Sequence, residues 1–132
     1  MNLRNEFAAS VGDLVKGEYK TGEYIGRIVE INSPVKAAVQ VLAVIKHPTQ
    51  GDLHTADRND LRYFQQRRAL AYQEIALMPL VTIRSYNGNV PDYMLSLQHA
   101  LEEELSVLQQ TEEWARRSIA ELEELHKDYF PQ

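Results

Sequence analysis

The apolar residues of this chain change their spacing at Pro91, and that change limits the folds open to it. Before Pro91 they fall in short runs rich in β-branched residues, separated by turn signals. After it they recur every third or fourth residue, which is the period of an amphipathic helix. The chain therefore reads as a β module followed by helices.

The upstream runs are three. Asp13–Tyr19 centres on Leu14 and Val15, and Lys20-Thr21-Gly22 then marks a turn. Glu23–Ile31 alternates for part of its length, and Gly26 inside it predicts a bulge or bend of the kind a small barrel needs to close. Asn32-Ser33-Pro34 is the next turn, and Lys36–Lys46, with Val39, Val41, Val44 and Ile45, is the expected central strand. Short connections between them predict an antiparallel meander.

The middle of the chain is less regular. His47–Asn59 is too polar and broken for a strand and is expected to form a long ordered loop, with Leu61–Gln66 holding one helical turn. Arg68–Leu77 has apolar positions that fit either period, and its Ala, Leu, Gln and Glu residues favour helix by local propensity. Leu80–Tyr86 is a candidate for a fifth strand or a short helical turn, and Asn87-Gly88-Asn89 is a further turn.

Pro91 and Asp92 mark a helix start. Leu97, Leu101, Leu105 and Leu108 form one stripe; Ile119, Leu122, Leu125 or His126, and Tyr129 form a second. Gln109–Glu112 shifts the phase and Thr111 is a candidate cap, so two helices are expected, about 92–109 and 112–129. A buried Leu or Ile contributes roughly 1.5–3 kcal/mol, so the stripes call for a surface to cover: each other, the barrel or a partner. They would also permit a homodimer.

Charge divides along the same line. Residues 1–90 carry 11 Lys+Arg against 9 Asp+Glu, and residues 91–132 carry 3 against 10. The tail repels phosphate backbones and favours a basic partner surface. There is no cysteine, which removes disulfides, thiolate nucleophiles and cysteine metal ligands, and which suits a reducing cytoplasm. No segment approaches the roughly 18–20 apolar residues of a membrane span. The N-terminal residues lack the apolar run of a signal peptide.

Several runs in order resemble the kinase-associated protein B family. They are Gly12-Asp13-Leu14-Val15, Tyr19-Lys20-Thr21-Gly22 with Tyr24-Ile25-Gly26, Val41-Leu42-Ala43-Val44, and the distinctive His47-Pro48-Thr49-Gln50-Gly51-Asp52-Leu53-His54. Arg67-Arg68-Ala69-Leu70-Ala71, Pro91-Asp92-Tyr93 and Lys127-Asp128-Tyr129-Phe130 complete the set. The resemblance implies a mainly β fold: a partly open SH3-like barrel over residues 1–90, followed by an acidic α-helical hairpin over 91–132 as one structural unit. It also turns Arg68–Leu77 from helix to strand. It further implies a regulatory protein of endospore-forming bacteria that binds a membrane sensor histidine kinase feeding the sporulation phosphorelay. Such a protein would be cytoplasmic and reach the membrane only through that partner. The family is commonly labelled a lipoprotein; without a cysteine to carry a diacylglycerol anchor, lipidation is not expected here.

The expected partner-binding residues are His47, Gln50, Asp52 and His54 on the loop and Glu103 and Glu113 on the tail. An ordered loop on a rigid barrel is a usual binding site. His47, Asp52 and His54 would suit zinc by ligand type, which leaves a metal-binding protein as an alternative, but Pro48, Gly51 and Asp52 are equally the parts of a structured turn. Arg58, Arg62, Arg67, Arg68 and Arg84, interleaved with Tyr63, Phe64 and Tyr72, raise a nucleic-acid-binding module as a second alternative, against which stands the acidic tail. Tyr63, Phe64, Tyr86 and Trp114 are expected to pack between elements, and His99 to lie on the helix as a packing or surface residue. No phosphate loop, serine-nucleophile motif or paired-histidine motif occurs, so neither an enzyme nor a cofactor is expected.

Overall fold

The three alternating runs of the first half become the three longest strands of one antiparallel sheet. The structure is a computed structural model describing residues 8–51 and 64–132. Strand β1 is Leu14–Tyr19, β2 is Gly22–Glu30, β3 is Lys36–Lys46, β4 is Ile75–Pro79 and β5 is Arg84–Ser85. Their order is β4-β3-β2-β1-β5, a four-strand meander to which the short β5 returns beside β1. The edge strands β4 and β5 are not paired with each other, so the barrel stays partly open.

The turns explain how the strands are held in register. β1 and β2 are joined by a two-residue hairpin at Lys20-Thr21, with Tyr19 opposite Gly22. Both turn residues have positive φ, 44° for Lys20 and 70° for Thr21, as a hairpin of matching twist requires. Ser33 organises the β2–β3 turn: its hydroxyl accepts hydrogen bonds from the backbone N–H groups of Val35 at 3.2 Å and Lys36 at 3.1 Å.

Gly26 is the bend the sequence pointed to. The β2–β3 register shifts between Ile25 and Gly26, and a Cβ at Gly26 would lie 2.3 Å from the Gln40 carbonyl oxygen. At Gly17 the Met78 side chain of β4 and the Ile83 side chain close in, so β1 packs on β4 across the sheet interior. The core inside this curl holds Val15, Tyr24, Ile28, Val39, Val41, Met78 and Ile83, all essentially buried.

Arg68–Leu77 is neither the helix its propensities favour nor the strand implied by the resemblance, except at its last residues. Residues 68–74 are irregular, and only Ile75–Leu77 join β4. Gln73 adopts φ 67°, while Glu74 closes the turn by accepting from the Ala71 N–H at 2.8 Å through Oε1. Leu80–Tyr86 contains both expected forms, a 3-10 turn at Leu80–Thr82 and then β5. Residues 64–66 are not helical; the rest of Leu61–Gln66 lies outside the described residues.

The tail corrects the expected hairpin. A single helix, α1, runs without a break over Tyr93–Tyr129. It contains no glycine or proline, and the Gln109–Glu113 stretch is made of residues that tolerate or favour helix. The Thr111 hydroxyl donates back to the Val107 carbonyl at 2.9 Å, a within-helix bond rather than a cap. The expected start is present: Asp92 Oδ2 accepts from the Leu95 N–H at 3.1 Å.

Packing divides the chain into Met1–Ala100 and Leu101–Gln132. Within the first unit the opening turns of α1 join the core through Tyr93, Leu97 and Ala100. Ser96 is buried there and fully used: its hydroxyl donates to the Tyr93 carbonyl at 2.7 Å and accepts from the Val44 N–H at 2.9 Å.

A Gly26→Ala substitution should lower stability by about 1–3 kcal/mol, because β3 must move to admit the methyl group. Chemical denaturation measures this, and a change within about 0.5 kcal/mol would show that the close approach at Gly26 is not required.

Candidate partner-binding surface

The candidate surface begins where β3 ends. His47 is half-buried and its Nδ1 lies 3.0 Å from the Pro48 carbonyl oxygen. A carbonyl only accepts, so Nδ1 carries the proton in this arrangement. Pro48 and Gly51 are buried, and Gly51 takes φ 109° with the Phe64 ring set against it. The Thr49 N–H donates to the Thr21 hydroxyl at 2.9 Å, tying the loop to the β1–β2 hairpin.

Gln50 is the fastener. Its amide nitrogen donates to the carbonyls of Pro48 at 3.1 Å and Arg67 at 2.8 Å, and its amide oxygen accepts from the Arg67 N–H at 2.8 Å. Arg67 answers by donating from Nε to the Gly51 carbonyl at 3.3 Å, and the Gly51 N–H donates to Gln65 at 2.9 Å. The two ends of the intervening segment are thus locked together by side-chain and backbone bonds.

A second clamp lies three residues on, at Leu70. The Leu70 N–H donates to the Tyr24 hydroxyl at 3.2 Å, and the Tyr93 hydroxyl donates to the Leu70 carbonyl. Burial raises the pKa of both tyrosines above the usual 10.0, keeping both hydroxyls neutral. The irregular 64–74 segment is therefore anchored to β2 and α1 through the backbone of one residue, Leu70.

Two of the cavities on the first unit lie near these clamps. One, of about 640 Å³, is lined by Arg27, Leu42, Tyr72, Val90, Tyr93 and Met94 among others. The other, of about 240 Å³, lies beside the Gln50–Arg67 clasp and is lined by Tyr19, Lys20, Tyr24, Pro48, Gln66, Arg67 and Arg68.

Of the residues expected to bind a partner, the structure brings His47 and Gln50 together on the clasped loop. Gln50 is turned inward to hold that loop in shape. Asp52 and His54 lie outside the described residues, as do Tyr63, Arg58 and Arg62. Glu103 and Glu113 are exposed on α1 in the second unit. Nearby acids pair with arginines of the same helix, Glu112 with Arg116 at 3.8 Å and Glu121 with Arg117 at 3.0 Å, both at solvent-exposed positions. Among the described residues no cluster of metal-ligating side chains occurs.

The aromatic expectations divide. The Tyr86 hydroxyl donates to the Asn89 carbonyl at 2.8 Å and closes that turn, and Phe64 shields Gly51 although it is 57% exposed. Trp114 does not pack as expected; it is 70% exposed, because it lies off both leucine stripes on a helix that needs no second element to form. His99 is exposed on α1. The stripes themselves are bare beyond Leu97: Leu101, Leu105 and Leu108 are between 42% and 51% exposed, and Ile119 and Leu122 more so. Sequence reasoning missed the basic cavity around Lys20 and Arg67, since those residues are far apart in the chain.

The sequence model of the family described as Kinase associated protein B matches residues 19–130. The chain belongs to the kinase-associated protein B family. A protein of Bacillus subtilis (strain 168) named Kinase-associated lipoprotein B is 44% identical over 120 residues, covering 90% of this chain and 93% of the relative. The crystal structure of kinase-associated protein B from Bacillus cereus superposes with a TM-score of 0.64 at 36% identity, covering 92% of this chain and 98% of that one. The family's fold, a β-sheet module with a C-terminal helix, is the one described above. Among the described residues no helix is long and apolar enough to cross a membrane.

Replacing Gln50 with alanine should remove all three of its bonds and lower stability by about 1–3 kcal/mol, since the Arg67 N–H is left without its acceptor. Amide hydrogen exchange should quicken at Arg67 and Gly51 first. Unchanged exchange at those two amides would show that the clasp does not hold the loop.

Proposed function

We propose that this chain is a non-enzymatic regulatory partner of a sensor histidine kinase that feeds the sporulation phosphorelay. Family membership supports the reading, because the relatives of known sequence and structure are named for association with a kinase. The observation that carries it is the bare apolar face of α1. Leu101, Leu105 and Leu108 step by four and three residues, and Ile119 and Leu122 return to the same side eleven and fourteen residues after Leu108, on a helix that is otherwise strongly acidic. A helix with such a face is half of a helix–helix contact. Glu103 and Glu113, exposed on the same helix, would meet basic residues flanking the kinase's helical region. The sheet module with its clasped loop would supply a second, stiff contact through His47.

Regulation by binding requires that the two conformations of the kinase bind this protein with different affinity. A difference of about 5- to 150-fold, the usual range of allosteric coupling, is enough to change autophosphorylation measurably. The protein would work in the cytoplasm and be brought to the membrane surface by the kinase. A second copy of the chain is the competing occupant of the helix face.

The test is retention on the immobilised cytoplasmic part of the cognate kinase at physiological salt, with autophosphorylation followed in parallel. The wild-type chain should be retained and shift the rate. Leu105→Glu with Leu122→Glu should lose retention by at least about tenfold while helicity by circular dichroism is unchanged, since exposed positions tolerate the charge in the free protein. No retention of the wild type and no rate change would remove the kinase reading, and sedimentation of a stable dimer would assign the face to self-association.

A further inference from the structure

The 240 Å³ cavity beside the clasp carries a feature that partner binding by the helix does not use. Lys20, Arg67 and Arg68 line it, and among the described residues no acidic one does. Among the described residues none of these cations has a carboxylate partner. Arg67 is the telling member. Its Nε is bonded to the Gly51 carbonyl, but Nη2 is buried with no acceptor. A buried donor left unpaired is destabilising, and more so when it is charged. An ordered water or a bound anion completes such a group.

The opposite wall is fixed with equal care. Lys20 and Thr21 occupy left-handed backbone conformations that Asn and Gly normally fill, and a β-branched threonine there is under strain. The Thr21 hydroxyl holds the strained turn in place by accepting from Thr49, on the same loop that carries the Arg67 clasp. The hairpin backbone at Lys20 is thereby tied to the loop that carries the clasp, and the Lys20 ammonium lies 5.4 Å from the centre of the Tyr19 ring. Tyr19, Tyr24 and Pro48, with Gln66, form the rest of the wall, and the two rings and the proline lower the local dielectric, which strengthens a charge-assisted bond.

We infer that this cavity is an oxyanion subsite, taking one phosphate or carboxylate group with the Arg67 guanidinium as its main donor and Lys20 and Arg68 as flanking charges. The volume is below the range of pockets that hold whole small-molecule ligands, so a single anionic group fits and a nucleotide chain does not. The inference goes beyond the kinase reading and does not depend on it: a protein that fails to bind the kinase still has this site to be tested.

The experiment is a nitrogen-15 NMR titration of the full chain at neutral pH and constant ionic strength, with sodium phosphate, sodium acetate and sodium chloride in separate arms. Phosphate should give saturating shifts at the amides of Tyr19, Lys20, Arg67 and Arg68 and at the Arg67 Nε–H, with a dissociation constant of about a millimolar, as expected for one small anion. Lys20→Gln and Arg68→Gln, both at exposed positions, should each weaken binding by about two- to fivefold and leave the spectrum otherwise intact. Saturation by phosphate alone identifies a phosphoryl group as the natural occupant; saturation by both phosphate and acetate identifies an acidic segment as well. Linear shifts equal to those in chloride, or saturation that neither variant weakens, would overturn the inference.

Discussion

The backbone of Leu70 holds the irregular 64–74 segment in place. Its N–H is taken by Tyr24 on β2 and its carbonyl by Tyr93 at the start of α1. No strand partner is available to an irregular segment, so without these hydroxyls both backbone groups would be buried and unpaired in the core beside Leu70, itself 8% exposed. With them, the sheet, the 64–74 segment and the first turn of the helix become one rigid assembly. The Gln50–Arg67 clasp and the basic cavity are built on that anchored segment. A stiff surface of this kind loses little conformational entropy when a partner arrives.

The helix works on a different principle. Its first two turns are part of the core, held by Ser96 and Ala100. Beyond Ala100 its stability comes from local propensity and exposed i,i+4 ion pairs, each contributing only a few tenths of a kcal/mol. The leucine stripe adds nothing in the free chain, because its residues stay substantially exposed. They become stabilising only against another apolar face, at roughly 25 cal/mol per Å² removed from water. The sheet module thus offers shape and charge, and the helix offers apolar area.

Much of this was legible in the sequence because it rests on local chemistry. The alternation around Val39, Val41 and Val44, the bend at Gly26 and the Asp92 start of the helix each follow from neighbours in the chain. The phase shift at Gln109–Glu112 points to two helices, yet one forms, because no glycine or proline stands there to break it. Arg68–Glu74 escaped for the opposite reason. Its conformation is decided by Tyr24, Tyr93 and Val41, distant residues that override the preferences of its own Ala and Leu. The basic cavity was hidden likewise: Lys20 and Arg67 meet only because a strained hairpin and a glutamine clasp bring them together.

Hydrogen exchange of the full chain, with and without the cytoplasmic part of the kinase, tests most directly whether this protein acts by offering a preformed surface. The account predicts slowed exchange in two places, the amides of the clasped loop from His47 to Gly51 and those along α1 from Leu101 to Tyr129, with the strands unchanged. Exchange that is identical in both states, or that slows chiefly in β3 and β4 as if the sheet itself were being ordered, would contradict it.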